Sequence, residues 1–140
     1  MAALHAACFT VPRPWTRAEF AAFLTDPLAI VLTEPGGLLV GRVVAGEAEV
    51  LTLAVAPNVR GAGIGGRLLA WFLTEAGRRG AEAAFLEVAA DNQSGLALYR
   101  RAGFAARGRR RGYYRAAGKV AASVDAIVLF RVLDRNSSNI

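Results

Sequence analysis

The chain has 140 residues and a mass of 14.8 kDa, enough for one compact domain with a single core and little more. Apolar residues make up 54% and charged residues 20%, which excludes a disordered chain, and no apolar run reaches the ~18 residues that a membrane helix needs. The formal charge of +6 rests on arginine, with Lys119 the one lysine, and it draws a protein toward phosphates without choosing among nucleotide cofactors, RNA and the ribosome.

The stretch from Met1 to Trp15 lacks a basic segment followed by a long apolar core, so no signal peptide is read and the expected location is cytoplasmic. Cys8 is the single cysteine and His5 the single histidine, which excludes an internal disulfide and points to a metal-free protein. His5 reads as structural and Cys8 as a small packed hydrophobe. Leu4 to Phe9 reads as a piece of helix that Pro12-Arg13-Pro14 stops. Thr16 followed by Glu19 is a capping-box pattern, predicting a helix through Phe20, Phe23 and Leu24 that ends before Asp26-Pro27.

Ala29 to Thr33, Leu38 to Ala45 and Glu47 to Ala56 read as strands, separated by turns at Glu34–Gly37 and near Gly46. A glycine-rich loop runs from Arg60 to Gly66. Leu68, Leu69, Phe72, Leu73 and Ala76 then recur at helical spacing up to Arg78, and Gly80 ends that helix. Ala84 to Ala89 is a buried strand interrupted by one charge, Glu87. Asp91 or Asn92 caps a further helix, which Gly103 closes. Arg107 to Arg111 reads as a solvated loop, Val124 to Leu133 as the last strand, and Asn136 to Asn139 as a polar tail. Strands first, then strand-helix-strand-helix-strand, predict a mixed α+β sheet. One domain is expected over residues 1–133, with a tail over 134–140.

Gly61-Ala62-Gly63-Ile64-Gly65-Gly66 matches G-x-G-x-x-G, and Glu87 follows at about the distance a dinucleotide fold requires. The spacing argues against that fold. Pro57-Asn58-Val59-Arg60 separates the strand from the first glycine, Glu87 lies inside a strand rather than at its end, and too little chain follows for a second half-sheet. The same residues form a loop between a strand and a helix N-terminus, where glycines let backbone N–H groups close on a pyrophosphate and the helix dipole favours negative charge. Arg60 and Arg67 add positive charge at its two ends. A turn serving only tight packing is the plain alternative.

Val55-Ala56-Pro57 followed by Arg60-Gly61-Ala62-Gly63-Ile64-Gly65-Gly66-Arg67-Leu68-Leu69 resembles the acetyl-CoA-binding motif of the GNAT acyltransferases. Leu86-Glu87-Val88, Asn92, Ala97-Leu98-Tyr99 and Gly103-Phe104 continue in that family's order. Arg111-Gly112-Tyr113-Tyr114 and Asp125-Ala126 are similar to its RimI type, whose members acetylate the N-terminal alanine of a small-subunit ribosomal protein. The likeness runs from about Val50 to Leu133 and more weakly back to His5 and Pro14-Trp15. The resemblance implies an α+β GNAT fold, a mixed and mostly antiparallel sheet flanked by helices. The chain starts inside what would be the family's first helix, so its first strand is expected to be missing.

A carboxylate inside a buried strand must face a partner, water or a cleft, and partial burial would make Glu87 a better base. The resemblance gives Glu87 the role of deprotonating the acceptor amine, directly or through water, against the alternative of an ion pair with an arginine. Asn92 and Tyr99 lie about two turns apart on one helix face. The family assigns Asn92 to the cofactor's pantetheine arm and Tyr99 to protonation of the leaving thiolate. A plain helix cap and core packing are the alternatives. By resemblance, Leu53, Ala54 and Val55 lie on a strand that splays from its neighbour, its free backbone groups holding acetyl-CoA and polarising the thioester. Tyr113 and Tyr114 line the acceptor groove by the same resemblance, with an amphipathic edge strand as the other reading. Trp15 shapes the acceptor pocket or anchors the core.

The function expected is therefore direct transfer of an acetyl group from acetyl-CoA to a protein N-terminus, alanine favoured, on a ribosomal protein. No membrane and no direct nucleic-acid contact are expected, although Arg107, Arg109, Arg110 and Arg111 are candidates for docking an acidic or RNA-bearing partner. A lysine side chain or small amine as acceptor, and a non-catalytic acetyl-CoA-binding module, are the rival readings.

Overall fold

The computed structural model describes residues 16–115 and 123–133. The helix read at residues 4–9, His5, Cys8, Trp15 and the tail at 136–139 lie outside them. Helix α1 (Arg17–Thr25) starts at the capping box: Thr16 Oγ1 accepts from the Glu19 N–H at 3.2 Å, and Glu19 Oε1 accepts from the Thr16 N–H at 3.1 Å. Two otherwise orphaned donors are thereby satisfied.

Strands β1 (Ala29–Glu34), β2 (Gly37–Val44) and β3 (Glu47–Val55) form an antiparallel meander. Its second turn has Ala45 and Gly46 at φ 51° and 82°. A two-residue hairpin needs both central residues in that left-handed region to match strand twist. A short 3₁₀ turn at Pro57–Val59 follows, then helix α2 (Ile64–Arg78) and strand β4 (Ala83–Ala89), which returns parallel to β3. Helix α3 (Gln93–Arg101) leads into β5 (Ala105–Arg115), and β6 (Ser123–Val132) inserts between β5 and β4. The sheet order is β1-β2-β3-β4-β6-β5, antiparallel except between β3 and β4.

Two boundaries differ from the sequence reading. The arginine-rich segment from Arg107 to Arg111 is strand rather than loop, because it pairs with β6 from Ala105↔Phe130 onward. Helix α2 begins at Ile64, several residues ahead of the apolar repeat, since the glycines Gly65 and Gly66 form its first turn.

Helices α2 and α3 cover one face of the sheet, where Leu68, Leu69 and Phe72 meet Leu39, Val50, Leu86 and Leu129. Helix α1 covers the other, placing Phe20 against Leu38, Val40 and Ala54. Gly41 on β2 is required by close approach: an added Cβ would lie 2.6 Å from Phe72 Cζ and 2.7 Å from the Glu49 carbonyl oxygen. Its bareness leaves room for the Phe72 ring against the strand.

Candidate active site

The site originates in one extra residue. Val40 pairs with Thr52 and Gly41 with Val50, so Leu51 is a bulge in β3. A bulge bends its strand and shifts the alternation of side chains by one position. Ala48 and Val50 accordingly face the α2 side before it, while Leu53 and Val55 do so after it. Pairing between β3 and β4 stops at Val50↔Leu86, immediately before the bulge, although β3 runs on to Val55 and β4 to Ala89. The two parallel strands therefore part at this rung, and among the described residues no strand pairs with Leu53 to Val55 on the β4 side.

A cavity of about 450 Å³ fills the gap. The β3 end contributes Leu53, Ala54 and Val55 to its wall, the glycine loop Arg60, Gly61, Gly63, Ile64, Gly65 and Gly66. Gly63, at φ 83°, is the N-cap of α2 and offers no side chain to it, while the first intrahelical bond runs from Arg67 N to Gly63 O at 3.0 Å. The amides of Ile64, Gly65 and Gly66 thus precede the hydrogen-bond ladder at the positive end of a 15-residue helix, the arrangement that accepts an anion. An added Cβ at Gly61 meets nothing within 4 Å, whereas at Gly65 it would come to 3.0 Å of Leu98. The loop is open at Gly61 and closes on Leu98 of α3 at Gly65, and both glycines line the cavity. These features fit a pyrophosphate-bearing ligand. Arg60 lines the cavity with its Nε donating to the Val55 carbonyl at 3.1 Å.

Helix α3 forms the opposite wall. Asn92 Oδ1 caps the helix by accepting from the Gly95 N–H at 3.0 Å and from Ser94 Oγ at 3.2 Å, and the same residue lines the cavity. The cap engages its oxygen, so capping and ligand contact through the amide nitrogen are compatible. Tyr99 is 8% exposed and packs edge-on to Phe104, ring centroids 6.1 Å apart, while also bordering the cavity.

Glu87 is the first β4 residue past the last rung shared with β3. Ala84, Leu86 and Val88 face α2, so Glu87 points to the α1 side. There it meets Arg110 of β5, Nη2 to Oε1 at 3.2 Å, with 22% of the carboxylate side chain exposed. The ion pair weighed from sequence is present, and it coexists with a position at the apex of the splay. Neighbouring Glu49 on β3 is half-buried: burial pushes its carboxyl above the ordinary 4.5, Arg42 opposes this, and the Glu87 charge adds to it.

Two expected ligands fall elsewhere. Arg67 turns from the cavity to a salt bridge with Glu34 at 3.2 Å and to the Ala62 carbonyl at 3.1 Å, and Ala62 itself is not among the lining residues. Tyr113 and Tyr114 lie on the β5 backbone. The sequence reading overlooked Ser94, Leu98 and Arg101 on the cavity wall, although their spacing of four and then three marks one helix face. Among the described residues, no group of three or more His, Cys, Asp and Glu could hold a metal ion, and no helix is long and apolar enough to cross a membrane.

Residues 2–104 match the model of the acetyltransferase (GNAT) family. The chain belongs to the GNAT acetyltransferases. It is 42% identical over 126 residues to the N-alpha-acetyltransferase RimI of Mycobacterium tuberculosis, spanning 84% of this chain and 78% of that protein. The ribosomal protein bS18-alanine N-acetyltransferase of Escherichia coli K12 is 34% identical over 105 residues, 72% of this chain and 71% of the other. The crystal structure of the ribosomal-protein-S18-alanine N-acetyltransferase from Escherichia coli superposes with a TM-score of 0.81 at 28% identity, covering 95% of this chain and 85% of that one. This GNAT chain is thus an acyltransferase, and acetyl-CoA is the acyl donor of its family.

Proposed function

We propose that this enzyme transfers the acetyl group of acetyl-CoA to the N-terminal α-amine of a protein, alanine favoured, with a ribosomal protein supplying the acceptor. The observation that carries the reading is Glu87 at the apex of the β3–β4 splay, on the α1 side of the sheet and outside the lining of the cavity, whose glycine loop suits a pyrophosphate. The likeness to RimI and to the bS18-alanine acetyltransferase supports the choice of acceptor.

In this reading the amides of Ile64 to Gly66 and the charge of Arg60 hold the pyrophosphate. Asn92 and the strand end from Leu53 to Val55 hold the pantetheine arm. When bound, acetyl-CoA supplies a thioester carbonyl and a thiolate leaving group. Backbone N–H groups of the parted strand face the developing negative charge without having to reorganise. Glu87 takes a proton from the acceptor ammonium, directly or through one water, which frees the nitrogen lone pair for attack. The Tyr99 hydroxyl gives a proton to the departing sulfur. Trp15, Tyr113 and Tyr114 are the acceptor-side residues.

The test is acetyl transfer to short peptides beginning Ala, Ser, Gly and Met, with mass spectrometry locating the acetyl group and Glu87→Gln run alongside. Acetylation of the α-amine, strongest on Ala and reduced roughly 10²–10⁴-fold in kcat by Glu87→Gln with acetyl-CoA affinity unchanged, is the expected result. Modification confined to lysine would overturn the acceptor, and full activity in Glu87→Gln would overturn the assigned base.

A further inference from the structure

On the α1 face, four charges cross the sheet with two carboxylates between two guanidiniums: Arg42 of β2, Glu49 of β3, Glu87 of β4 and Arg110 of β5. Arg42 and Glu49 are register partners. The β4 partner of Glu49 is Phe85, two residues before Glu87. Ordinary strand spacings then put the Glu49 and Glu87 Cα atoms about 8 Å apart, within reach of long side chains on one face. The two carboxylates flank Val50↔Leu86, the last rung before the strands part, and only one of them has a part in the reaction derived above. Thr52 of β3 is buried on this face, and the Arg107 guanidinium of β5 lies 4.0 Å over the ring of Phe130, the β6 neighbour of Phe85; the rest is mainly apolar. Strand β6 contributes Ala126 and Val128 between β4 and β5, and Phe20 of α1 covers Leu38, Val40 and Ala54. Glu47, the remaining acidic residue of β3, is exposed at its start.

We propose that Glu49 is a positioning residue of the transfer reaction, acting through Glu87: it offsets Arg110, so that the Glu87 carboxylate can leave the guanidinium and meet the acceptor's ammonium. The proposal rests on the reading of Glu87 as proton acceptor. A carboxylate engaged by a guanidinium alone is a poor proton acceptor, because the opposite charge favours the ionised form. A like charge within reach works the other way. Arg110 and Glu49 bear on Glu87 from opposite sides and oppose each other. Burial pushes the Glu49 carboxyl up, Arg42 opposes this, and the Glu87 charge adds a smaller push in the same direction as burial. In the step itself an N–H bond of the ammonium breaks and an O–H bond forms on Glu87, which returns the proton to water. Glu49 exchanges nothing with the substrate.

The experiment measures kcat against pH at saturating acetyl-CoA and Ala-peptide for the full chain. The variants are Glu49→Gln, Arg110→Met, the double variant and Glu49→Asp. The acid limb should move down by about one pH unit in Glu49→Gln, with a lower plateau, and up in Arg110→Met. The double variant should return toward wild type, Glu49→Asp should restore the original profile, and KM for acetyl-CoA should stay constant throughout. Glu49→Thr removes the same charge and carries the test if Glu49→Gln does not fold. A Glu49→Gln profile that overlays wild type, shifts of the same sign in both single variants, or an equal change in KM for acetyl-CoA would each overturn the proposal. Wild type that transfers to no α-amine would instead sink the proposed function, so the two failures are distinguishable.

Discussion

Gly41→Ala is the sharpest test of how the two faces of the sheet are coupled. The new Cβ would lie 2.6 Å from Phe72 Cζ and 2.7 Å from the carbonyl oxygen of Glu49, with Phe72 Cε1 closer still. Phe72 is fully buried, so its ring has no solvent side into which to swing. The second obstacle is backbone and cannot be relieved by a rotamer change. Overpacking of this kind costs about 1–3 kcal/mol. Alanine also restricts the unfolded chain, which returns about 0.4–1 kcal/mol. The net expectation is a loss of about 1–2 kcal/mol, or roughly 3–7 °C in Tm for a chain of this size. Urea and thermal unfolding of Gly41→Ala, Phe72→Leu and the double variant measure it. Shortening the ring removes the main clash, so the double variant should be more stable than the sum of the singles by about 1 kcal/mol or more. A Gly41→Ala protein as stable as wild type, or strictly additive effects, would refute the packing argument.

Two further outcomes follow from the site. Tyr99→Phe keeps the edge-on contact with Phe104 but loses the hydroxyl, so kcat should fall roughly a hundredfold while Tm drops by a few degrees at most; unchanged kcat would remove Tyr99 from the reaction. Glu49 binds its proton more tightly folded than unfolded, so its contribution to stability is fully present below the ordinary 4.5 and is lost as pH rises through the raised value. The stability of Glu49→Gln relative to wild type should therefore increase with pH above 4.5 and then level off, as urea titrations between pH 4 and 8 would show. A difference independent of pH would contradict the burial of that carboxylate.

Local chemistry was legible in the residues themselves. Thr16 and Glu19 announce a helix start because the two side chains reach each other's backbone within one turn, and the structure has both bonds. The glycine loop announces an anion cradle because few other residues tolerate φ near +85° at Gly61 and Gly63, and the cavity lies against it. Glu87 was conspicuous as the one charge in an apolar strand. Asn92 was recognisable as a cap, a role that depends on Gly95 and Ser94 within three residues.

What the chain order could not convey depends on pairings between distant segments. The bulge at Leu51 arises from register against Val40 and Gly41, and no property of a leucine marks it. Arg67 carries a charge suited to phosphate, yet Glu34, 33 residues earlier, claims it. Arg110 reads as one of a solvated run until β5 pairs with β6 and brings it across to Glu87. Glu49 reads as an outward residue of an alternating strand until β4 docks alongside and buries it beside a second carboxylate. Capping, turn chemistry and glycine geometry act within a few residues and are set by the sequence alone. Charge pairing and proton affinity depend on which strands become neighbours, and that is decided by packing of the whole sheet.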